Sequence, residues 1–254
     1  MSTGALYLID WISNRLVSLS FFLSERMTAM NPFRLQYFFD PLCGWCYASA
    51  PALAGLDAAH PGVLELMPSG LFADEGAREL TPEWGEYAWR NDQRIEQMTG
   101  QRFTHAYREQ VLRRGGVRFD SGPANRALSA LRGVDARLER PLLEAIQLAR
   151  YVDGLDTARP DVLARIAAGV AANAGVTTVD ADALARRIEG DAALASETAG
   201  RIARTQRAMR QLGASGVPQL LLTVGERGYV LHGASLYGGA QAAVAAVERV
   251  LQEA

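Results

Sequence analysis

The sequence predicts an α/β chain in which a strand–helix–strand unit and a strand–strand–helix unit are separated by a long all-helical block. Three observations point there. Apolar runs of strand length stand near residues 34–39, 63–67 and 219–224, helical apolar periodicity fills residues 76–212, and an Ala-rich amphipathic stretch ends the chain. At 254 residues and 49% hydrophobic, the chain can bury a sizeable core, and its length suits one domain with a large insertion as well as two domains.

Residues 1–30 read differently from the rest, with a short apolar run, 16–23, between Arg15 and Glu25. Asp10 lies in the would-be leader, residues 1–9 are not basic, and no small-residue cleavage pattern stands near Thr28-Ala29-Met30. The run is too short to span a bilayer. The segment is therefore expected to be an upstream extension, poorly ordered or preceding a true start near Met27 or Met30. A cytoplasmic protein is expected, the runner-up being a periplasmic one if residues 1–30 act as a leader.

Residues 34–39 place Leu35, Tyr37 and Phe39 on one side of a strand that Asp40-Pro41 stops. The Ala- and Leu-rich stretch 47–59 predicts a helix, with Leu53 and Leu56 at helical spacing and His60-Pro61-Gly62 closing it. Val63, Leu64, Leu66 and Met67 form the next strand, which completes a βαβ unit. From there to residue 212 no strand is expected. Apolar helix faces recur at Leu128 and Leu131, Leu142 and Ile146, Val162, Ile166 and Val170, and Leu184 and Ile188. The aromatics Trp84, Tyr87, Trp89, Phe103 and Tyr107 could line a groove, but such spacing belongs more often to a core. Asp120-Ser121-Gly122-Pro123 joins an N-cap candidate to an early proline and starts a helix. Residues 219–224, the turn Gly225-Glu226-Arg227-Gly228 and residues 229–232 read as a β-hairpin. Val244, Val247 and Leu251 then mark one face of a last helix.

Charge and composition exclude several functions. The net charge is -2 and the arginines are scattered, so no electrostatic footprint for nucleic acid exists. The sequence contains no lysine, which excludes Schiff-base and lysine general-base chemistry. Two cysteines cannot make a framework of structural disulfides. His60, His105 and His232 are far apart and lack metal-ligand spacing, so no metal is expected.

The chemistry is expected at Cys43-Gly44-Trp45-Cys46, after a strand and at the opening of a helix. A thiol placed there faces unsatisfied backbone N–H groups and the positive end of the helix dipole, which favour a thiolate. A spacing of three lets the second sulfur reach the first across one turn and displace a substrate held as a mixed disulfide. Cys43 is thus the expected nucleophile and Cys46 the resolving thiol. Zinc fingers share this spacing, but a second ligand pair is missing. Trp45 offers a flat face to an unfolded substrate, or packs. Gly44 leaves room for an approaching sulfur, or is a flexible helix start. Asp40 and Asp57 are candidates to relay protons for Cys46, with Asp40 explained equally well as a loop or cap residue.

The segment Phe39-Asp40-Pro41-Leu42-Cys43-Gly44-Trp45-Cys46-Tyr47-Ala48 resembles the active-site segment of DsbA-like thioredoxin-fold proteins, closest to their protein-disulfide isomerase branch. Residues 120–127 and 149–154 are similar to recurring segments of that branch, and the resemblance covers most of residues 31–254. It implies a thioredoxin-like domain built from residues 31–75 and 213–254 and split by a helical insertion, 76–212. It makes Gly216-Val217-Pro218 the counterpart of the cis-proline loop, with Val217 pairing an extended substrate by strand addition. Gly-Trp stands between the cysteines where DsbA proper has Pro-His, so strong oxidase character does not carry over and the direction of catalysis stays open.

The function implied is thiol–disulfide exchange on protein or small-molecule disulfides, with a redox partner, no membrane and no bound cofactor, glutathione or another thiol serving as co-substrate. Two alternatives remain. A glutathione-dependent isomerase or transferase of the kappa-like group would dispense with Cys46, and a non-enzymatic substrate-binding or chaperone module would keep binding without either thiol.

Overall fold

A computed structural model describes residues 33–231 and 233–254; the extension or leader expected over residues 1–30 and the strand end at His232 lie outside the described residues. Strand β1 (Phe33–Phe39) buries every side chain except Arg34 and Gln36, as a central strand covered on both faces does. It pairs in parallel with β2 (Leu64–Pro68), with Leu35 opposite Leu64 and Phe39 opposite Pro68. Between them run α1 (Gly44–Ala48) and α2 (Ala50–Ala59).

The helix expected as one piece is broken at Ser49, and Pro51 supplies the reason. Its nitrogen has no hydrogen to return to the carbonyl of Tyr47, four residues back. Gln101 donates its side-chain Nε2 to that oxygen instead, at 3.0 Å, while Ser49 Oγ donates to Trp45 O at 3.1 Å.

The middle of the chain is helical, with one correction. Arg78–Glu79 (β3) and Arg118–Phe119 (β4) form a two-stranded antiparallel ribbon where no strand was expected. Two-residue strands carry no periodicity, and this pair is set by tertiary contacts that bury Phe119 among Phe72 and Trp84. The helices are α3 (Pro82–Thr99), the short α4 (His105–Tyr107) continued by a π-turn at Arg108–Leu112, α5 (Gly122–Val134), α6 (Glu139–Tyr151), α7 (Pro160–Asn173), α8 (Ala181–Gly190) and α9 (Ala192–Gln211).

The buried face of α7 is Val162, Leu163, Ala164, Ala167 and Ala171, rotated from the expected Val162, Ile166 and Val170. Alanines let α5, α6 and α8 come close, so contact distance rather than side-chain size selects the face. At the start of α5, Asp120 Oδ1 accepts from Gly122 N at 2.8 Å, whereas Ser121, the cap residue, turns its hydroxyl to Asp40 Oδ2 at 2.8 Å. Gly154 ends α6's connection at φ 71°, and a β-carbon there would stand 2.6 Å from the Ala106 backbone.

Strands β5 (Gln219–Val224) and β6 (Arg227–Leu231) form the expected hairpin, and the sheet order is β2-β1-β5-β6. After α10 (Ala234–Tyr237), α11 (Gly239–Glu253) packs on α2, where a β-carbon on Gly55 would meet Ala240 at 2.6 Å. Helix α9 packs on β2, and Arg201 Nη2 donates to Leu66 O at 3.2 Å while pairing with buried Glu139. This is a thioredoxin-like α/β fold with a predominantly helical insertion. No described helix is long and apolar enough to cross a membrane.

Candidate active site

Both cysteines are free thiols at the carboxyl end of β1, where Asp40 turns the chain. Asp40 is fully buried and its carboxylate accepts from Leu42 N at 2.9 Å, Phe72 N at 3.1 Å and Ser121 Oγ at 2.8 Å. Burial raises its pKa, and these hydrogen bonds work against the shift. The turn is held from the insertion as well, since Tyr151 Oη donates to Leu42 O at 2.7 Å. Tyr151 stacks on Tyr47 with ring centres 4.9 Å apart.

Cys43 is the N-cap residue of α1, with φ -85° and ψ 116°, and makes no side-chain cap bond. Its carbonyl accepts from Cys46 N at 2.9 Å and Tyr47 N at 3.0 Å, fixing the first turn. Cys43 is 8% exposed and Cys46 0%, so a substrate meets Cys43 first. Burial pushes the Cys46 thiol well above its ordinary pKa, and Cys43 beside it adds to the shift. Tyr37 Oη donates to Cys46 O at 3.3 Å and anchors the inner end of the turn.

The thiol of Cys43 donates to Val217 O at 3.8 Å, and the Val217–Pro218 bond is cis. Pro218 is buried and Val217 half-buried. Two hollows flank this loop. One, of about 600 Å³, runs between the loop after β2 and the end of α9 and is lined by Gln206, Met209 and Arg210, the one cation of a lining that also includes Asp74 and Glu75. The other, of about 630 Å³, opens between Trp45, Val230 and Tyr237.

Trp45, expected exposed if it serves substrates, is half-buried, its ring 4.9 Å from that of Tyr237. Asp57, in α2, is paired with Arg140 at 2.7 Å. Of the aromatics of the insertion, Trp89, Phe103 and Tyr107 lie in the core and Tyr87 is 55% exposed. Among the described residues, no group of three or more His, Cys, Asp or Glu is placed to hold a metal.

Sequence reasoning passed over Asp92, which is 4% exposed, accepts from Tyr107 Oη at 2.9 Å and packs on Gly44. It stands in a polar stretch of α3 with no local pattern to distinguish it. Arg150 lay within a segment that was noted, yet its position, fully buried against the rings of Tyr107, Phe119 and Tyr151, was not legible.

The sequence matches no protein-family model and no curated protein, whereas solved structures match most of the chain. The cytosolic disulfide reductase DsbM from Pseudomonas aeruginosa is 30% identical, with a TM-score of 0.74 over 87% of this chain and 100% of that one. The same protein determined with GSH matches at 30% identity and TM-score 0.71 over 86% of this chain and 99% of that one. A candidate protein disulfide isomerase from Nitrosomonas europaea matches at 25% identity and TM-score 0.67, over 87% of this chain and 98% of that one.

Proposed function

This chain belongs to the DsbA-like, thioredoxin-fold disulfide oxidoreductases, and from that premise we propose that it is a glutathione-coupled disulfide reductase of the cytosol. The observation that carries the reading is the placement of the Cys43 sulfur against the Val217 carbonyl, with Cys46 one turn behind it.

In the forward reaction the thiolate of Cys43 attacks one sulfur of a substrate disulfide. A mixed disulfide on Cys43 forms, and the other half of the substrate leaves as a thiolate that takes up a proton. Cys46, held protonated by its burial, attacks the Cys43 sulfur as its proton passes to the departing thiolate, which releases the second half of the substrate as a thiol. Two glutathione molecules then reduce the Cys43–Cys46 disulfide and leave as glutathione disulfide. The net change is one substrate disulfide reduced and two thiols oxidised. The Val217 backbone would pair with the extended segment around the substrate sulfur. Arg210 supplies a cation for a glutathione carboxylate in the groove between the loop after β2 and the end of α9.

The test is to equilibrate the protein in glutathione redox buffers and quantify the Cys43–Cys46 disulfide by alkylation and mass measurement. A two-electron transition near the thioredoxin value of about −270 mV is expected for a reductase. A midpoint near the DsbA value of about −120 mV would reverse the direction proposed. Failure to form any intramolecular disulfide would remove the two-thiol mechanism and favour a kappa-like, single-thiol reaction.

A further inference from the structure

Asp92 reaches the active-site turn from the insertion, not from the unit that carries the cysteines. It lies in the middle of α3, and its Oδ1 sits so close to Gly44 that a β-carbon there would stand 2.5 Å away. Its Oδ2 accepts from Tyr107 Oη at 2.9 Å. Arg150, on α6, is fully buried with no hydrogen-bond partner on any guanidinium nitrogen, and lies 5.7 Å from the centre of the Tyr107 ring. Burial pushes the Asp92 carboxyl up to about 7, while the Tyr107 hydrogen bond and the Arg150 charge pull it down. The groups that bear on it are therefore Tyr107 and Arg150, and Gly44, against which it packs, is the residue next to Cys43. Tyr151 feels the charge of both Asp92 and Cys43.

We propose that Asp92 is a positioning residue of the exchange reaction, whose ionised carboxylate opposes the Cys43 thiolate and makes the Cys43–Cys46 pair more reducing. This rests on the thiol-exchange reading above. A carboxylate buried beside the residue next to the nucleophile acts through surroundings with little water, so its repulsion is weakly screened. Destabilising the thiolate destabilises the reduced pair, which favours the disulfide and lowers the potential. Protonated, Asp92 leaves Cys43 free to ionise. The same placement accounts for glycine at 44, because any side chain there would meet the carboxylate.

The experiment follows alkylation of the reduced protein by iodoacetamide across pH 5–9, with the glutathione midpoint measured alongside. For Asp92→Asn, alkylation of Cys43 at pH 7.5 is expected to be about three-fold faster than in the wild type, the equivalent of half a pKa unit. The profile moves to lower pH and the redox equilibrium shifts toward the dithiol by a similar factor. Tyr107→Phe keeps the carboxyl and removes its donor, so Asp92 stays protonated to higher pH and the profile moves the same way by less. This second variant decides the matter if Asp92→Asn does not fold. Superimposed alkylation profiles for wild type and folded variants overturn the proposal. If the pair never forms a disulfide, the exchange reading falls, and the alkylation profiles by themselves decide the role of Asp92.

Discussion

The sulfur of Cys43 lies 3.8 Å from the carbonyl oxygen of Val217, although 174 positions of chain separate the two residues. The whole insertion is threaded between them, so the site forms only when β5 has joined the sheet beside β1. Exchange chemistry here is a property of that junction as much as of the two thiols.

Replacing the inner thiol separates one-thiol from two-thiol chemistry. In Cys46→Ala the mixed disulfide on Cys43 has no intramolecular resolving group, so glutathione adducts accumulate and multiple turnover is lost. Mass measurement before and after a reductant detects the adduct. Full turnover in this variant would instead support a single-thiol reaction.

Tyr151→Phe removes the hydroxyl that holds the Leu42 carbonyl, at 2.7 Å, inside the buried turn before Cys43. The carbonyl loses its side-chain donor, at a cost of about 1–3 kcal/mol. Urea unfolding is expected to show that loss, with the ring stack on Tyr47 retained.

Arg201→Met tests how the insertion is tied to the sheet. Arg201, 6% exposed, bonds Glu139, Ser129 Oγ and the Leu66 carbonyl, and its loss leaves Glu139 with Arg132 alone. Breaking a buried pair from one side costs about 3–5 kcal/mol. A midpoint shift smaller than 1 kcal/mol in denaturant titrations would show the pair to be dispensable.

Stability should respond to pH through Asp92, and the sign follows from proton uptake. Its carboxyl is raised from 3.8 to about 7 in the fold, so between those values the native state binds a proton that the unfolded state has lost. Stability from this group is therefore greatest below pH 4 and declines as pH rises to about 7, by roughly 4 kcal/mol at most. Asp40, also raised by burial, adds in the same direction. Urea melts at pH 5 and pH 8 are expected to show the wild type losing stability relative to Asp92→Asn on the alkaline side. A constant difference between the two proteins would contradict this.

Much of the site was legible locally. A cysteine pair three apart, after an aromatic strand and before a helix, announces its chemistry through spacing and backbone direction, which neighbouring residues determine. The hairpin, the last helix and most helix faces followed from periodicity for the same reason. The resemblance to a known family, rather than any pattern in the residues, brought in Val217 and Pro218.

The sequence by itself determined the element order, the redox motif and the absence of lysine chemistry, because each depends on residue type and on contacts within a turn or a strand. Only the tertiary structure decided the rest. The break at Ser49 is completed by Gln101, the ribbon of β3 and β4 exists through its packing, and Asp57 is claimed by Arg140. Above all, Asp92 comes to Gly44 through the packing of α3 on α1, a contact between helices that no short stretch of sequence encodes. Burial and charge around a buried side chain are set by distant parts of the chain, and they become visible only once the chain has closed on itself.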